Sequence, residues 1–390
     1  MQFSEAAVRE ILSRFTLSGE FVSFEPIGCG HINDTLCVTL KEQDGEVRYI
    51  LQRINTHVFT KPAELMENVA NVTSYLARIL RENGADPARG TLTVFPTKDG
   101  KLFYRTDAGD CWRVYNYVEN TYTLQAIRDP QDFRKSGEAF GNFQKLLADY
   151  PSDTLYETIP HFHDTAARFE NFKKALRADA VGRAHTVQPE IDFVLQREAD
   201  THVLVDLLQK GELPLRVTHN DTKLNNILFD NDTKEGICVV DLDTVMPGLS
   251  LYDFGDSIRF GASTAAEDEP DLSKVHFSME LFRAYTRGYL GAAGDSLTAT
   301  EIAYLPFSAK LMTLECGMRF LTDYLEGDGY FRISYPEHNL VRCRTQFALV
   351  AEMETQMPQM QAETAAIAAS IGKDVPECFS SGSSSCCCAV

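Results

Sequence analysis

An aspartate and an asparagine stand five residues apart in residues 218–228, and the asparagine opens a short apolar run typical of a β-strand. A carboxylate in such a loop could orient a substrate hydroxyl and accept its proton, and an amide oxygen suits hard Mg²⁺. Phosphoryl transfer needs both, since it depends on positioning and charge neutralisation. Asp221 is therefore the candidate catalytic residue and Asn226 a candidate metal ligand. Taken alone, the segment fits an Asx-rich turn between two strands equally well.

A second aspartate favours the catalytic interpretation. Asp241 ends the apolar run that follows, and a carboxylate at the end of a buried strand is unfavourable unless it is paired or metal-bound. We predict that Asp241 is a Mg²⁺ ligand and that Asp243 assists from outside the coordination sphere. The tripeptide Asp253-Phe254-Gly255 spells the metal-binding motif of protein kinases, but it lies 32 residues after Asp221. We interpret it as the start of a helix or turn.

The elements that must position these residues change character along the chain. Short β-branched and aromatic runs, interrupted by one helix at residues 64–83, fill the first 118 residues. The strand signals lie at residues 21–26, 35–40, 49–54, 92–96 and 112–118. From about Asp132 the apolar spacing is helical, apart from a strand-rich island at residues 216–242. The later helical patterns lie at residues 164–178, 191–209, 277–290, 302–325 and 340–371.

These patterns predict an α+β chain with two lobes. Residues 1–118 form a small antiparallel-sheet N-lobe, residues 119–372 a larger, mostly helical C-lobe, and residues 373–390 a disordered Ser/Cys tail. A length of 390 residues also favours two lobes over one core.

The composition excludes several classes of partner. A formal net charge of −19 disfavours nucleic acids and anionic membranes, because both would be repelled. We find no secretory signal or transmembrane segment in the sequence, and the ten cysteines show no metal-ligand spacing. We therefore expect a cytoplasmic protein with reduced thiols and small-molecule partners.

The blocks at residues 219–228, 239–243 and 252–256 resemble the aminoglycoside phosphotransferase and choline kinase superfamily, which shares the bilobal protein-kinase fold. More closely, the chain resembles bacterial N-acetylhexosamine 1-kinases. The stretches that carry this likeness are residues 30–33, 49–52, 112–115, 161–164, 216–228, 253–263 and 315–320. The resemblance implies ATP as co-substrate, Mg²⁺, and transfer of the γ-phosphoryl group to the anomeric hydroxyl of N-acetylglucosamine or N-acetylgalactosamine.

Within this resemblance, the nucleotide side has three features. Gly28 and Gly30 would let backbone N–H groups approach phosphates, although the pair alone also fits an ordinary turn. Gln52 stands where kinase-like folds carry a lysine, so it would donate hydrogen bonds without charge; the hexosamine kinases share this departure. Tyr115 and Tyr117 lie on the last strand of the first lobe, beside the expected adenine site, where packing is the alternative role.

The resemblance also implies a set of acceptor-site residues, namely His31, Asn33, Phe260, Arg319 and Tyr330. Arginine can fork onto sugar hydroxyls or an acetamide carbonyl, and an aromatic ring can stack on a pyranose face. A helix salt bridge between Arg319 and Glu315 is a rival role for this arginine.

Alternative functions stay open. An aminoglycoside or choline kinase of the same superfamily is the nearest one. A choline site needs an aromatic cage, and the only tryptophan, Trp112, lies in the first lobe; the acidic charge would suit an aminoglycoside. The missing lysine also allows a nucleotide-binding pseudokinase regulator, which the intact Asp221, Asn226 and Asp241 oppose. The oligomeric state is undetermined by the sequence.

Overall fold

The computed structural model describes residues 3–27 and 33–376. Its strands, in chain order, are β1 (Glu20–Pro26), β2 (Asp34–Glu42), β3 (Gly45–Ile54), β4 (Val94–Phe95), β5 (Tyr104–Arg105), β6 (Cys111–Asn116), β7 (Thr121–Tyr122), β8 (Arg216–Thr218), β9 (Ile227–Asp230), β10 (Gly236–Val239) and β11 (Met246–Gly248). Its helices are α1 (Glu5–Leu12), α2 (Pro62–Glu82), α3 (Pro87–Gly90), α4 (Pro130–Leu146), α5 (Thr165–Ala178), α6 (Gln188–Leu195), α7 (Glu198–Gln209), α8 (Ser250–Gly261), α9 (Met279–Ala293), α10 (Ala299–Glu326) and α11 (His338–Ser370).

The chain divides into two compact units that do not follow chain order. The first unit comprises the chain up to Ile127 together with Asn142–Phe162 and Leu215–Gly248. The second comprises Arg128–Gly141, His163–Pro214 and the chain from Leu249. The strand-rich island that carries Asp221 therefore belongs to the same unit as the N-terminal sheet. The predicted lobe boundary near residue 118 stays a prediction.

The largest sheet of the first unit is antiparallel, with strand order β1-β2-β3-β6-β4 and β5 also paired with β6. Side chains of β2 alternate, so Leu36, Val38 and Leu40 share one buried face. Helix α1 contributes Val8 to the core on this face. The sheet thereby fixes which strands lie side by side, and β3 and β6 are direct neighbours.

Two smaller antiparallel sheets also belong to the first unit. Strand β9 pairs with β10 and with β7, and β8 pairs with β11. In the β9–β10 pair Ile227 lies opposite Val239, and in the β8–β11 pair Thr218 lies opposite Met246. These two pairings hold both ends of the segment that contains Asp221 and Asn226.

The second unit is helical, and its core is formed largely by α5, α6, α10 and α11. A capping box starts α10, in which Thr298 Oγ1 accepts from Glu301 N at 3.1 Å and the Glu301 carboxylate accepts from Thr298 N at 2.8 Å. Helix α8 crosses α10 so closely that a Cβ on Gly255 would lie 2.5 Å from the Ser308 carbonyl oxygen. The residues Asp253-Phe254-Gly255 are buried inside α8; the predicted helix is present, but it begins at Ser250, before this tripeptide.

Most predicted elements are confirmed. Five predicted strands correspond to β1, β2, β3, β4 and β6, and the helix predicted at residues 64–83 is α2. The pattern at residues 191–209 is two helices, α6 and α7, separated by a break near Arg197. Helices α1 and α3, the two-residue strands β5 and β7, and strand β11 were not predicted. The predicted disordered tail lies mostly outside the described residues.

Two further expectations concern the cysteine thiols and membrane-spanning helices. Within the described residues, Cys37, Cys111, Cys238 and Cys343 are buried free thiols, and Cys316 is a partly buried one. None of the described helices combines the length and apolar character that a bilayer crossing requires.

Candidate active site

Asp221 lies in the loop between β8 and β9, and the residue before it fixes the loop's course. Asn220 has φ 64°, a left-handed conformation that asparagine tolerates better than most residues. Its side-chain Nδ2 donates to the Thr244 carbonyl oxygen at 2.8 Å. The loop is thus tied to the turn that follows Asp241.

His219 makes a second tie to the same turn. The ring is fully buried, with Nε2 at 2.9 Å from the Val240 carbonyl oxygen and Nδ1 at 3.3 Å from the Asp221 amide nitrogen. A carbonyl oxygen can only accept and an amide N–H can only donate, so these partners require a neutral ring with its proton on Nε2. His219 therefore links the backbone of Asp221 to the residue just before Asp241.

Asn226 completes the group. Its Nδ2 donates to the Asp221 carbonyl oxygen at 2.8 Å and to Asp221 Oδ2 at 3.3 Å, so the Asn226 oxygen is the atom of this side chain that can act as a ligand. The backbone oxygen of Asn226 accepts from Val240 N at 2.9 Å. Asp221, Asn226 and Asp241 are thus brought together at the open end of the β9–β10 hairpin.

Asp241 is exposed and has φ 60°, at the start of a short 3₁₀ turn, Leu242–Thr244. Close packing of protein around the carboxylate removes part of its hydration, and with the nearby carboxylates of Asp243 and Asp221 this raises the pKa of Asp241 to about 6. A divalent cation would relieve this crowding of negative charge.

The donor set suits Mg²⁺. It consists of a carboxylate and an amide oxygen, both hard ligands, and Mg²⁺ in phosphoryl-transfer sites takes its other ligands from water and phosphates. Within the described residues no group of three or more His, Cys, Asp or Glu is arranged to hold a metal. The chemistry of the carboxylate and the amide oxygen fits a metal shared with a nucleotide, and Asn226 and Asp241 would be its protein ligands.

Lys223 is a site residue that sequence reasoning missed. Its Nζ lies 2.8 Å from Asp221 Oδ1, and the Asp221 side chain is 25% exposed. The signal available in the sequence was its position in the same loop, two residues after Asp221.

Gln52 is engaged within the sheet. Its Nε2 donates to Thr35 Oγ1 at 2.9 Å, and its Oε1 accepts from Arg113 Nε at 2.9 Å and from Arg113 Nη2 at 2.6 Å. Strands β3 and β6 place Gln52 directly opposite Arg113. A role of Gln52 in nucleotide binding stays a prediction.

Asn33 and Asp243 form a second internal contact. Asn33 Nδ2 donates to Asp243 Oδ2 at 2.7 Å, and Asn33 Oδ1 accepts from Asn55 N at 2.9 Å. Both ends of the Asn33 amide therefore have protein partners, and its predicted role in substrate binding is untested. The predicted residues Gly28, Gly30 and His31 lie outside the described residues.

The two predicted adenine-side tyrosines both lie against arginines. Tyr115 is buried, and its ring centroid is 5.1 Å from the Arg113 guanidinium. Burial raises the pKa of Tyr115 above its usual value, so its hydroxyl stays protonated. The Tyr117 ring lies 4.0 Å from the Arg48 guanidinium. Nucleotide contact by either ring stays a prediction.

The predicted acceptor residues of the second unit lie on α8, on α10 and just after α10. Phe260 is half-buried near the end of α8. The Arg319 guanidinium is 5.8 Å from the ring centroid of Tyr330, which is 60% exposed. The Asp323 carboxylate fixes the loop by accepting from Tyr330 N at 2.8 Å. Arg319 and Tyr330 are therefore neighbours, and their contact with an acceptor stays a prediction.

The predicted Arg319–Glu315 contact exists but is long, with 3.8 Å between Nη1 and Oε1. Glu315 is almost fully buried, and both of its oxygens lie 3.1 Å from His163 Nδ1. Burial alone would raise the pKa of Glu315, but His163, Arg319 and Arg168 outweigh it and hold that pKa below its usual value. Glu315 is thus an ionised carboxylate that contacts both His163 and Arg319.

Comparisons with known proteins agree with this geometry. The phosphotransferase enzyme family (APH) matches residues 23–294. Among solved structures, an aminoglycoside phosphotransferase from Alicyclobacillus acidocaldarius has 12% identity and a TM-score of 0.57, covering 95% of this chain and 97% of its own. A microcompartment-associated aminopropanol kinase has 17% identity and a TM-score of 0.54, covering 92% and 99%. A choline/ethanolamine kinase family protein from Mesorhizobium loti has 17% identity and a TM-score of 0.52, covering 94% and 99%.

At these identities the solved structures show a shared fold. The family match spans most of the chain and includes Asp221, Asn226 and Asp241. The chain therefore belongs to the phosphotransferase enzyme family (APH).

Proposed function

We propose that this protein transfers the γ-phosphoryl group of ATP to the anomeric hydroxyl of N-acetylglucosamine or N-acetylgalactosamine, giving the sugar 1-phosphate and ADP. The single observation that carries phosphoryl transfer is the convergence of Asp221, Asn226 and Asp241 at one end of the β9–β10 hairpin. The choice of sugar is supported by the long resemblance to N-acetylhexosamine 1-kinases, which extends from about residue 20 to about residue 350.

The predicted catalytic and metal-binding residues of the first unit each have a defined task in this proposal. Asp221 orients the sugar hydroxyl and accepts its proton as the new O–P bond forms. Asn226 and Asp241 hold Mg²⁺, which when bound neutralises charge on the phosphates. His219, Asn220 and Thr244 keep the two loops in place, so little reorganisation is needed during the reaction.

In this proposal, Arg319 and Tyr330 determine which acceptor sugar is bound. Arg319 donates hydrogen bonds to sugar hydroxyls or to the acetamide carbonyl, and Tyr330 offers a ring face to the pyranose. Glu315 limits the orientations of Arg319 by ion pairing and is itself held by His163. An exposed Tyr330 is consistent with a contact that a ligand would cover.

A substrate panel tests the proposal. The purified protein is incubated with Mg²⁺ and ATP plus N-acetylglucosamine, N-acetylgalactosamine, the unacetylated hexosamines, kanamycin, choline or ethanolamine, and ADP release is measured. We expect the N-acetylhexosamines to have the highest kcat/KM, and ³¹P–¹H coupling in the product to place the phosphate on the anomeric carbon.

The matched control is Asp221→Asn, which keeps the size of the side chain and removes its basicity. It should fold and bind ATP but lose turnover by roughly 10²-fold or more, since general-base catalysis contributes about 10²–10⁴. Preference for choline or an aminoglycoside would overturn the sugar assignment. ATP binding without turnover on any acceptor would favour the pseudokinase alternative.

A further inference from the structure

A buried arginine lies on the strand next to β3, directly opposite the position where kinase-like folds carry a lysine. Arg113 on β6 is in register with Gln52 on β3, and its side chain is 1% exposed. The Gln52 oxygen accepts two hydrogen bonds from this guanidinium. The sheet of the first unit therefore does hold a cation at this level, on the neighbouring strand.

The guanidinium is committed to protein partners. Besides Gln52, it reaches Asp243, with 2.5 Å between Nη1 and Oδ1, and Met66, with 3.6 Å between Nη1 and Sδ. Its near-complete burial leaves no surface on which a phosphate could bind. Among these partners, Asp243 lies two residues after Asp241, the proposed metal ligand, so it is the partner through which Arg113 can act on the metal site.

Asp243 is held from two directions. Arg113 binds one carboxylate oxygen and Asn33 donates to the other, and the Asp243 side chain is 3% exposed. A buried ion pair contributes little net stability compared with apolar packing, because desolvation offsets much of the attraction. What two opposed contacts do supply is a fixed position for the carboxylate.

That fixed position bears on Asp241, two residues earlier in the same short turn. Asp241 is exposed and has a left-handed backbone, so its direction depends on the turn that follows. Fixing Asp243 inside the sheet therefore fixes where the Asp241 carboxylate is presented. Partners outside the coordination sphere of a metal commonly change its affinity by about 10–100-fold.

We propose that Arg113 and Asp243 are positioning residues for Asp241, so that a cation on β6, acting through Asp243, replaces the missing β3 lysine in organising the site. This inference rests on the proposed function, in which Asp241 holds Mg²⁺. It differs from a phosphate-binding role, since both side chains are almost fully buried among protein partners.

The test compares metal binding with stability. In the double variant Arg113→Met/Asp243→Asn both charges are removed together, so no lone buried charge remains. Mn²⁺ binding with a non-hydrolysable ATP analogue is measured by electron paramagnetic resonance, beside the thermal unfolding midpoint, kcat and the sugar KM. We expect a folded protein with Mn²⁺ affinity reduced about 10–100-fold, kcat reduced in parallel, and an unchanged sugar KM.

The matched control is Lys310→Met/Asp200→Asn, which removes a largely buried ion pair from the second unit. It should leave Mn²⁺ affinity unchanged. Mn²⁺ affinity and kcat within threefold of wild type in the Arg113/Asp243 variant would overturn the inference and make the pair purely structural.

The test still gives an answer if the double variant does not fold or if the wild-type protein does not bind Mn²⁺. If the double variant does not fold, the Mn²⁺ affinity of the Arg113→Lys variant is measured instead. Lysine keeps the charge but loses the planar guanidinium that reaches Gln52 and Asp243 together. Mn²⁺ affinity at least threefold weaker in that variant supports the inference, and unchanged affinity overturns it. If the wild-type protein itself binds no Mn²⁺–nucleotide, the proposed function fails and the inference fails with it.

Discussion

At the scale of single residues, the three carboxylates of the site differ in whether a neighbouring cation balances their charge. Asp221 has Lys223 beside it, and Asp243 has Arg113, whereas Asp241 is exposed among like charges. A metal–nucleotide complex is the partner that would balance Asp241. The electrostatics of this one residue therefore predict how the metal-free protein should respond to pH.

The folded-state pKa of Asp241, about 6, lies above its ordinary value of about 3.9. Between these two values the folded protein keeps a proton that the unfolded chain has lost, so this group reduces stability as pH rises from about 4 to 6 and no further above that. Asp241→Asn should therefore unfold at a higher temperature than wild type in EDTA at pH 8, with the advantage shrinking toward pH 5. Thermal unfolding from pH 5 to 8 measures this.

Saturating Mg²⁺ and ADP should reverse the order at pH 8, because only the wild-type protein can use the carboxylate as a metal ligand. A pH-independent difference between the two proteins in EDTA would contradict the assignment of the raised pKa to Asp241.

At the scale of elements, two antiparallel pairings and three side chains position the catalytic loop. Strands β8 and β9 hold its ends, while His219, Asn220 and Thr244 tie it to the turn after β10. Asn220 is the residue where conformation and hydrogen bonding can be separated, because its φ is left-handed and its amide reaches Thr244.

Asn220→Ala and Asn220→Gly both remove the hydrogen bond to Thr244, but only alanine is strained at this φ. We expect the glycine variant to lose about 1 kcal/mol of unfolding free energy and the alanine variant about 1–2 kcal/mol more. Urea unfolding measures both values. Equal losses in the two variants would mean that the loop relaxes out of the left-handed conformation. The kcat should fall in both, since Asp221 is the next residue.

At the scale of the whole molecule, the units do not follow chain order. Residues 215–248 belong to the first unit with the N-terminal sheet, although they follow about half of the helical sequence. The proposed nucleotide contacts on the sheet and the proposed metal ligands are therefore parts of one compact unit. Nucleotide binding should therefore slow amide hydrogen exchange mainly in that unit.

Hydrogen exchange measured by mass spectrometry tests this. With Mg²⁺ and ADP at about 100 times Kd, binding stabilises the folded state by about 2.7 kcal/mol. Amides of residues 216–246 and of β3 should exchange more slowly, with a smaller effect in α11. Asp241→Asn is the control, and its Mg²⁺-dependent slowing should be lost. Slowing confined to the second unit would contradict the placement of the nucleotide.

Local signals in the sequence were sufficient to predict that Asp221, Asn226 and Asp241 lie close together. Asp221, Asn226 and Asp241 lie on consecutive segments joined by one hairpin, and an antiparallel hairpin with a short turn brings its flanking residues together. The strands β2 and β3 and the helix α2 were predictable for a similar reason, since their buried residues recur at the period of the element itself. Strands β5 and β7 were not, because a two-residue strand exists only through its pairing partner.

Tertiary structure alone decided the rest. Arg113 and Asp243 are far apart in the chain, and only the register of β3 against β6 and the path of the turn after Asp241 bring them together with Gln52. No period or spacing encodes such a contact, since it depends on which strands become neighbours in the sheet. The sequence by itself thus predicted the fold class and placed Asp221, Asn226 and Asp241 on neighbouring segments, whereas folding determined which buried cation contacts Asp243.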